Sequence, residues 1–216
     1  MKIKKIILYN EPSVPEIKIS KLINFLKDNF PVEITVKSNF FKGFKENEIK
    51  SLAKTRIFDI YNNYQSYEVD QKQITLEKTL CENSSYMEKT TRIEDAENIN
   101  QVVMYDGFEM QKVIREQINE VENDTLHIIF TNRLTCTFDD SDLRYHGRAV
   151  ICANPAILST TGIIEAPAKS KEFYIQAMAN KSQGLDITNV KEEHKGEFLE
   201  YHDKRLSKVI EGYILQ

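Results

Sequence analysis

Between Thr131 and Arg148 the chain gathers Asn132, Arg133, Cys136, Asp139, Asp140, Asp142, Arg144 and His146, its densest run of reactive side chains. Carboxylates, an imidazole and guanidinium groups in one segment suit metal ligation, proton transfer or the gripping of an anionic group. Asp139, Asp140 and Asp142 resemble part of a calcium loop, but the glycine and the closing glutamate that such a loop needs are absent. The plainer reading is a solvated turn in which Asp139, Asp140, Arg144 and Arg148 form ion pairs.

The other candidates are scattered. None of His127, His146, His194 and His202 begins an H-E-x-x-H motif, which would set two imidazoles on one helical face. On a continuous helix His194 and His202 would lie about 12 Å apart along the axis, too far to share an ion. His127 sits in an apolar run and reads as structural, and Cys152 reads as a buried small residue. Ser159-Thr160-Thr161-Gly162 lacks the G-x-S-x-G elbow, and neither a P-loop nor a dinucleotide fingerprint occurs. Glu165, within Gly162-Ile163-Ile164-Glu165-Ala166-Pro167, is a carboxylate among apolar residues, where burial would favour acid/base work.

Strands and helices must position these groups. Lys5 to Tyr9 reads as a buried strand, and Ser13-Val14-Pro15-Glu16 as the cap of a helix whose stripe is Ile19, Leu22, Ile23, Leu26 and Phe30, stopped by Pro31. Val32, Ile34 and Val36 alternate with polar residues, as a half-exposed strand does. A second helix is predicted from Glu46 through Ile49, Leu52, Ala53, Ile57 and Ile60. Val102 to Tyr105 is a further strand, followed by a capping box at Asp106-Gly107-Phe108-Glu109 and a helix running to Val121. Thr125 to Phe130 and Arg148 to Ala153 are predicted strands, with helices over Lys169 to Asn180 and Glu197 to Gln216. On the last helix His202 falls on the stripe of Leu199, Leu206, Val209 and Tyr213. From 62 to 101 apolar periodicity is lost, which predicts an irregular peripheral insertion. The expected architecture is an α/β domain over 1–216, with a mixed, mostly parallel sheet flanked by helices and a C-terminal helix. Its apolar pattern still runs at Gln216, so the expectation is a domain that is C-terminally incomplete.

Composition narrows the function classes. The 216 residues are 41% hydrophobic and 29% charged, ordinary for a globular chain. With 29 Lys+Arg against 33 Asp+Glu, the net charge of -4 disfavours general nucleic-acid binding, leaving only a local basic surface at Arg133, Arg144 and Arg148. The opening apolar run is too short for a signal or membrane segment, and three cysteines without C-x-x-C spacing fit a reducing cytoplasm.

Three stretches carry a resemblance. Val103-Met104-Tyr105-Asp106-Gly107-Phe108-Glu109, then Ile129 to Thr135 with Asp142 to Arg148, and Ser159 to Pro167 resemble an archaeal family of unknown function regarded as candidate metallopeptidases, loosely similar to the archaeal metzincins. Tyr201-His202-Asp203 and Gly212-Tyr213 extend it toward the end of the chain. The resemblance implies a zincin-like domain, a zinc cofactor and a peptide or protein substrate. It makes His146 and His202 the expected metal ligands, Glu165 the acid/base residue, and Arg144 and Arg148 contacts to a substrate carboxylate. The alternative is a non-catalytic binding or scaffold protein, homo-oligomeric or partner-bound, using a sheet edge or an exposed apolar stripe on Leu199, Leu206, Val209 and Tyr213.

Overall fold

The computed structural model describes residues 3–82, 103–118 and 124–215. Residues 83–101 of the expected insertion, Val102, Val121 and Gln216 lie outside them. The elements are β1 (Lys5–Tyr9), α1 (Ile19–Asn29), β2 (Glu33–Lys37), α2 (Glu46–Lys54), β3 (Arg56–Ile57), α3 (Gln71–Glu82), β4 (Met104–Asp106), α4 (Gly107–Gln117), β5 (Thr125–Thr131), β6 (Leu134–Asp139), β7 (Arg144–Arg148), β8 (Val150–Ile151), β9 (Ala156–Ser159), α5 (Thr160–Glu165), α6 (Lys171–Ser182), α7 (Thr188–Glu193) and α8 (Leu206–Ile214).

The expected mostly parallel sheet is present, in the order β2-β1-β5-β9-β8, with only β8 antiparallel. Period two splits its strands between two cores. Ile7, Tyr9, Ile129 and Ile157 pack with Leu52, Leu80, Met110 and Ile114 on one face. Ile6, Leu8, Ile128, Phe130 and Leu158 pack with Leu22, Leu26, Leu206 and Ile210 on the other. After β1 the chain crosses to β2 on one side, while β5 leads toward β9 on the other. The carboxyl ends of β1 and β5 therefore meet at a topological switch point, where open α/β sheets leave a crevice.

A second sheet, ordered β3-β4-β6-β7, was not expected from the residue pattern. Only Asn132 and Arg133 separate β5 of the first sheet from β6 of the second. β4 and β6 run parallel, and β6 and β7 form a hairpin whose register pairs Asp139 with Arg144 and Thr137 with His146.

Several boundaries differ from the reading of the residues. α1 starts at Ile19 with Lys18 at its N-cap and no side-chain cap, while Ser13, six residues upstream, donates from Oγ to Glu11 Oε1 at 2.9 Å. α2 stops at Lys54, and Arg56–Ile57 pairs with β4. The stretch after residue 62 contains α3, opened by a reciprocal box between Asp70 and Gln73. Glu77, Leu80 and Cys81 of α3 are buried, so this part is built into the core. The last helix covers only Leu206–Ile214. His202 stands before it with φ of 65°, off the predicted stripe. Cys152 is exposed, not buried. No helix among the described residues is long and apolar enough to cross a membrane.

Candidate functional site

The β6–β7 hairpin turns through residues 140–143, with Leu143 at φ of 55°. Asp139 Oδ1 accepts from the backbone N–H of Ser141 at 2.9 Å and from its hydroxyl at 2.6 Å, which fixes the turn. On the far side the Asp142 carboxylate meets His146 Nε2 at 2.9 and 3.0 Å and accepts from Arg144 Nε at 2.7 Å. The predicted ion-paired turn is thus partly present, but Arg148 turns away and donates from Nε to Thr137 Oγ1 at 2.7 Å. The bonds from His146 and Arg144 hold the Asp142 carboxyl below its usual range, and those from Ser141 do the same for Asp139.

Asp139, Asp142 and His146 each offer one ligand atom, and these atoms all lie within 4.8 Å of one another. Ligand atoms stand about 2.0–2.2 Å from a zinc ion, so the widest pair on one ion is about 4 Å apart. Closing this group round an ion needs a shift of roughly an ångström. It also needs release of Asp142 by Arg144, whose side chain is half-exposed. Two carboxylates and an imidazole, with space left for water, suit a divalent cation.

β7 also forms one wall of an open cleft of about 310 Å³. Arg144, His146, Gly147 and Arg148 face Glu165 and Ala166 from α5 and its C-cap across it, with Ile60 and Leu134 at its sides. Four of the five predicted site residues meet here. Glu165 is exposed, so the expected apolar burial of its carboxylate is not found.

Three hydroxyls and one glycine put Glu165 in place. Ser159, Thr160 and Thr161 donate to the carbonyls of Arg133 (2.6 Å), Thr131 (3.2 Å) and Asn132 (2.6 Å), which saturates the junction between the sheets. Ser159 Oγ also caps α5 by accepting from Gly162 N at 2.8 Å. A Cβ on Gly162 would lie 2.0 Å from the Arg148 carbonyl oxygen, so only glycine lets α5 come this close to the end of β7.

His202 lies elsewhere. It lines a cavity at the switch point together with Ser13, Glu16, Asn132, Thr161 and Tyr201, and its Nδ1 is 3.0 Å from Glu16 Oε1. Glu165 connects the two regions, because the buried Tyr201 hydroxyl stands against Glu165 and Thr161; burial first and then the Glu165 charge push this phenol well up.

Behind the junction lies a charged system that the residue pattern does not reveal. Glu77 of α3 takes Arg56 through Nε (2.9 Å) and Nη2 on one oxygen, and Arg133 Nη2 (2.9 Å) on the other. The Tyr105 hydroxyl donates to the same carboxylate at 3.0 Å, and the Arg133 guanidinium lies 4.3 Å from the Phe41 ring centre. Burial disfavours the Arg133 charge, but Glu77 outweighs it and holds the group above the ordinary arginine value. Arg133, offered above as part of a local basic surface, is therefore interior. The Asp70/Gln73 box is the one sequence signal that points to the helix carrying Glu77.

The stripe proposed for partner binding is not open either. Leu206 is buried, and Leu199, Val209 and Tyr213 pack against the core. No curated protein and no solved structure matches the chain. One family model does, over residues 2–216, and its description is "Probable metallopeptidase family (DUF6775)".

Proposed function

The chain belongs to this probable metallopeptidase family, and from that premise we propose that it hydrolyses peptide bonds in the cleft between β7 and α5 with the help of a divalent metal ion, zinc being our assignment. The observation that carries the reading is the meeting of Glu165, Arg144, Arg148 and His146 in one cleft, with His146 also part of the Asp139, Asp142 and His146 donor group. Those three residues would hold the ion, which supplies Lewis acidity toward the carbonyl and an acidified water.

The chain's own groups do the rest. Tyr145 N–H donates to the Ile60 carbonyl at 2.7 Å, away from β6. Strand alternation then turns the main chain of Gly147 outward to the cleft, where an extended peptide can pair with it. Arg148, and Arg144 once it leaves Asp142, reach a substrate carboxylate. Glu165, open to the cleft, takes a proton from the attacking water and returns it to the departing amine. His202 stays with Glu16 and serves the neighbouring cavity.

The test is a peptide-cleavage assay on zinc-loaded protein. Wild type should cleave, and Glu165→Gln should lose about 10²-fold or more in rate while binding the same amount of zinc. Absence of cleavage by zinc-saturated wild type across an unbiased peptide library would contradict the reading.

A further inference from the structure

A second hollow, of about 350 Å³, opens beside the cleft. Phe58, Tyr64, Tyr67 and Tyr145 give it aromatic walls, and the exposed amides of Asn62, Asn63 and Gln65 belong to its lining. The hollow and the cleft adjoin at Tyr145, which lines both. Leu134 and Ile60 of the cleft pack with Ile57, Tyr64 and Tyr145 of the hollow in a single apolar cluster. Phe138 pairs with Tyr145 and Cys136 with Gly147, so Leu134, Tyr145 and Gly147 face the same side of the second sheet. Tyr145 and Gly147 are two strand residues apart, about 7 Å. A peptide paired with the main chain of Gly147 therefore brings a side chain a few residues along to the edge of the hollow.

The charged groups and two of the hydroxyls around the hollow are already engaged. Arg56 is held by Glu77. Asp59 accepts from the Tyr61 N–H at 2.9 Å and from Asn62 Nδ2 at 2.5 Å. The Tyr67 hydroxyl donates to the Ala53 carbonyl and the Tyr145 hydroxyl to Asp106, each at 2.7 Å. Ring surface and neutral amides remain to meet a ligand. Phe58 is 66% exposed even though its ring stands edge-on to Tyr67, with ring centres 5.2 Å apart. An aromatic side chain entering the hollow would cover Phe58 and find ring edges and faces to pack on. A charged one would give up water for groups already paired.

We infer that this hollow is a specificity subsite for an aromatic side chain of the bound peptide. The inference rests on the peptidase reading for its substrate, and it assigns Phe58 and Tyr64 as the residues that confer the preference.

The chain contains no tryptophan, so a Trp peptide supplies the only indole emission in the mixture. Glu165→Gln protein with zinc present, which does not turn peptides over, is titrated with short alanine-based peptides in which one residue, Trp, Phe, Lys or Glu, is moved through successive positions. Cleavage of the same peptides is measured on wild type. At one position the Trp and Phe peptides should bind about 10-fold or more tightly than the all-Ala, Lys or Glu peptides, the scale on which apolar pockets discriminate, and the Trp emission should shift to the blue. Phe58→Ala, at an exposed position, and Tyr64→Leu, which keeps apolar bulk on the cluster, should each remove most of that preference while leaving the affinity for the all-Ala peptide unchanged. Equal affinities at every position, a preference for Lys or Glu, absence of peptide binding, or an aromatic preference unchanged in both variants would overturn the inference. Aromatic preference without cleavage would leave the subsite standing and refute the hydrolytic reading; cleavage without preference would do the reverse.

Discussion

Ser159 donates its hydroxyl proton to the main-chain carbonyl of Arg133 at 2.6 Å, and this bond joins the end of one sheet to the junction with the other. The same oxygen caps the helix that carries Glu165. Ser159→Ala leaves the buried Arg133 carbonyl and the first turn of α5 without their partner, and should cost about 2 kcal/mol or more. Chemical denaturation of wild type and variant measures it.

Gly162→Ala should be worse. The added Cβ meets a backbone carbonyl, which cannot rotate away as a side chain can. Overpacking costs about 1–3 kcal/mol, and a contact with backbone belongs at or above the upper end. If the protein folds, Glu165 is pushed off β7, so any activity should fall more than stability does. Thermal unfolding and activity measured on one preparation separate the two effects.

Glu77→Ala strands two interior guanidinium groups. Removing one partner of a buried pair costs about 3–5 kcal/mol. For a chain of this size that is a fall of about 6–20 °C in Tm. Arg56→Ala should cost less than Glu77→Ala, because Arg133 then keeps its carboxylate; scanning calorimetry gives the order.

Asp142 sets a pH dependence. Its folded carboxyl lies below its unfolded value, so the bonds to His146 and Arg144 favour the fold fully above the ordinary carboxylate range. That contribution is lost as pH falls below about 4 and on through the folded value. Wild type should lose stability faster than Asp142→Asn over this acid range and match its slope near neutrality. Denaturation midpoints measured against pH check the sign.

Parts of this architecture were legible in the residues. The Lys5–Tyr9 strand follows from a short apolar run buried on both faces, the Asp106 cap from one carboxylate placed before a helical pattern, and the parallel sheet from the alternation of strands with helices. The second sheet was not legible. β4 reads as a strand, but β3 is two residues long, too short to show a period, and the polar residues of β6 and β7 read as a solvated turn. The predicted helix does not reach His202 because apolar spacing of three and four is also met by Leu199 ahead of a turn and Leu206 at the start of α8, both packed on the core. Four of the five candidate residues, singled out by chemical type, line one cleft, which the spacing alone does not reveal. Asp139 and Asp142 read in the sequence as part of an incomplete calcium loop or of a solvated turn and not as partners of His146, because their closeness to His146 depends on the hairpin register.

The central claim is a divalent ion held by Asp139, Asp142 and His146 beside Glu165. It is tested most directly by titrating zinc into metal-free protein in a calorimeter, with wild type, His146→Ala and Asp142→Asn compared. One zinc per wild-type chain, lost in both variants while their folds persist by circular dichroism, is the predicted result. No zinc in wild type, or one zinc per chain in all three proteins, would contradict the account.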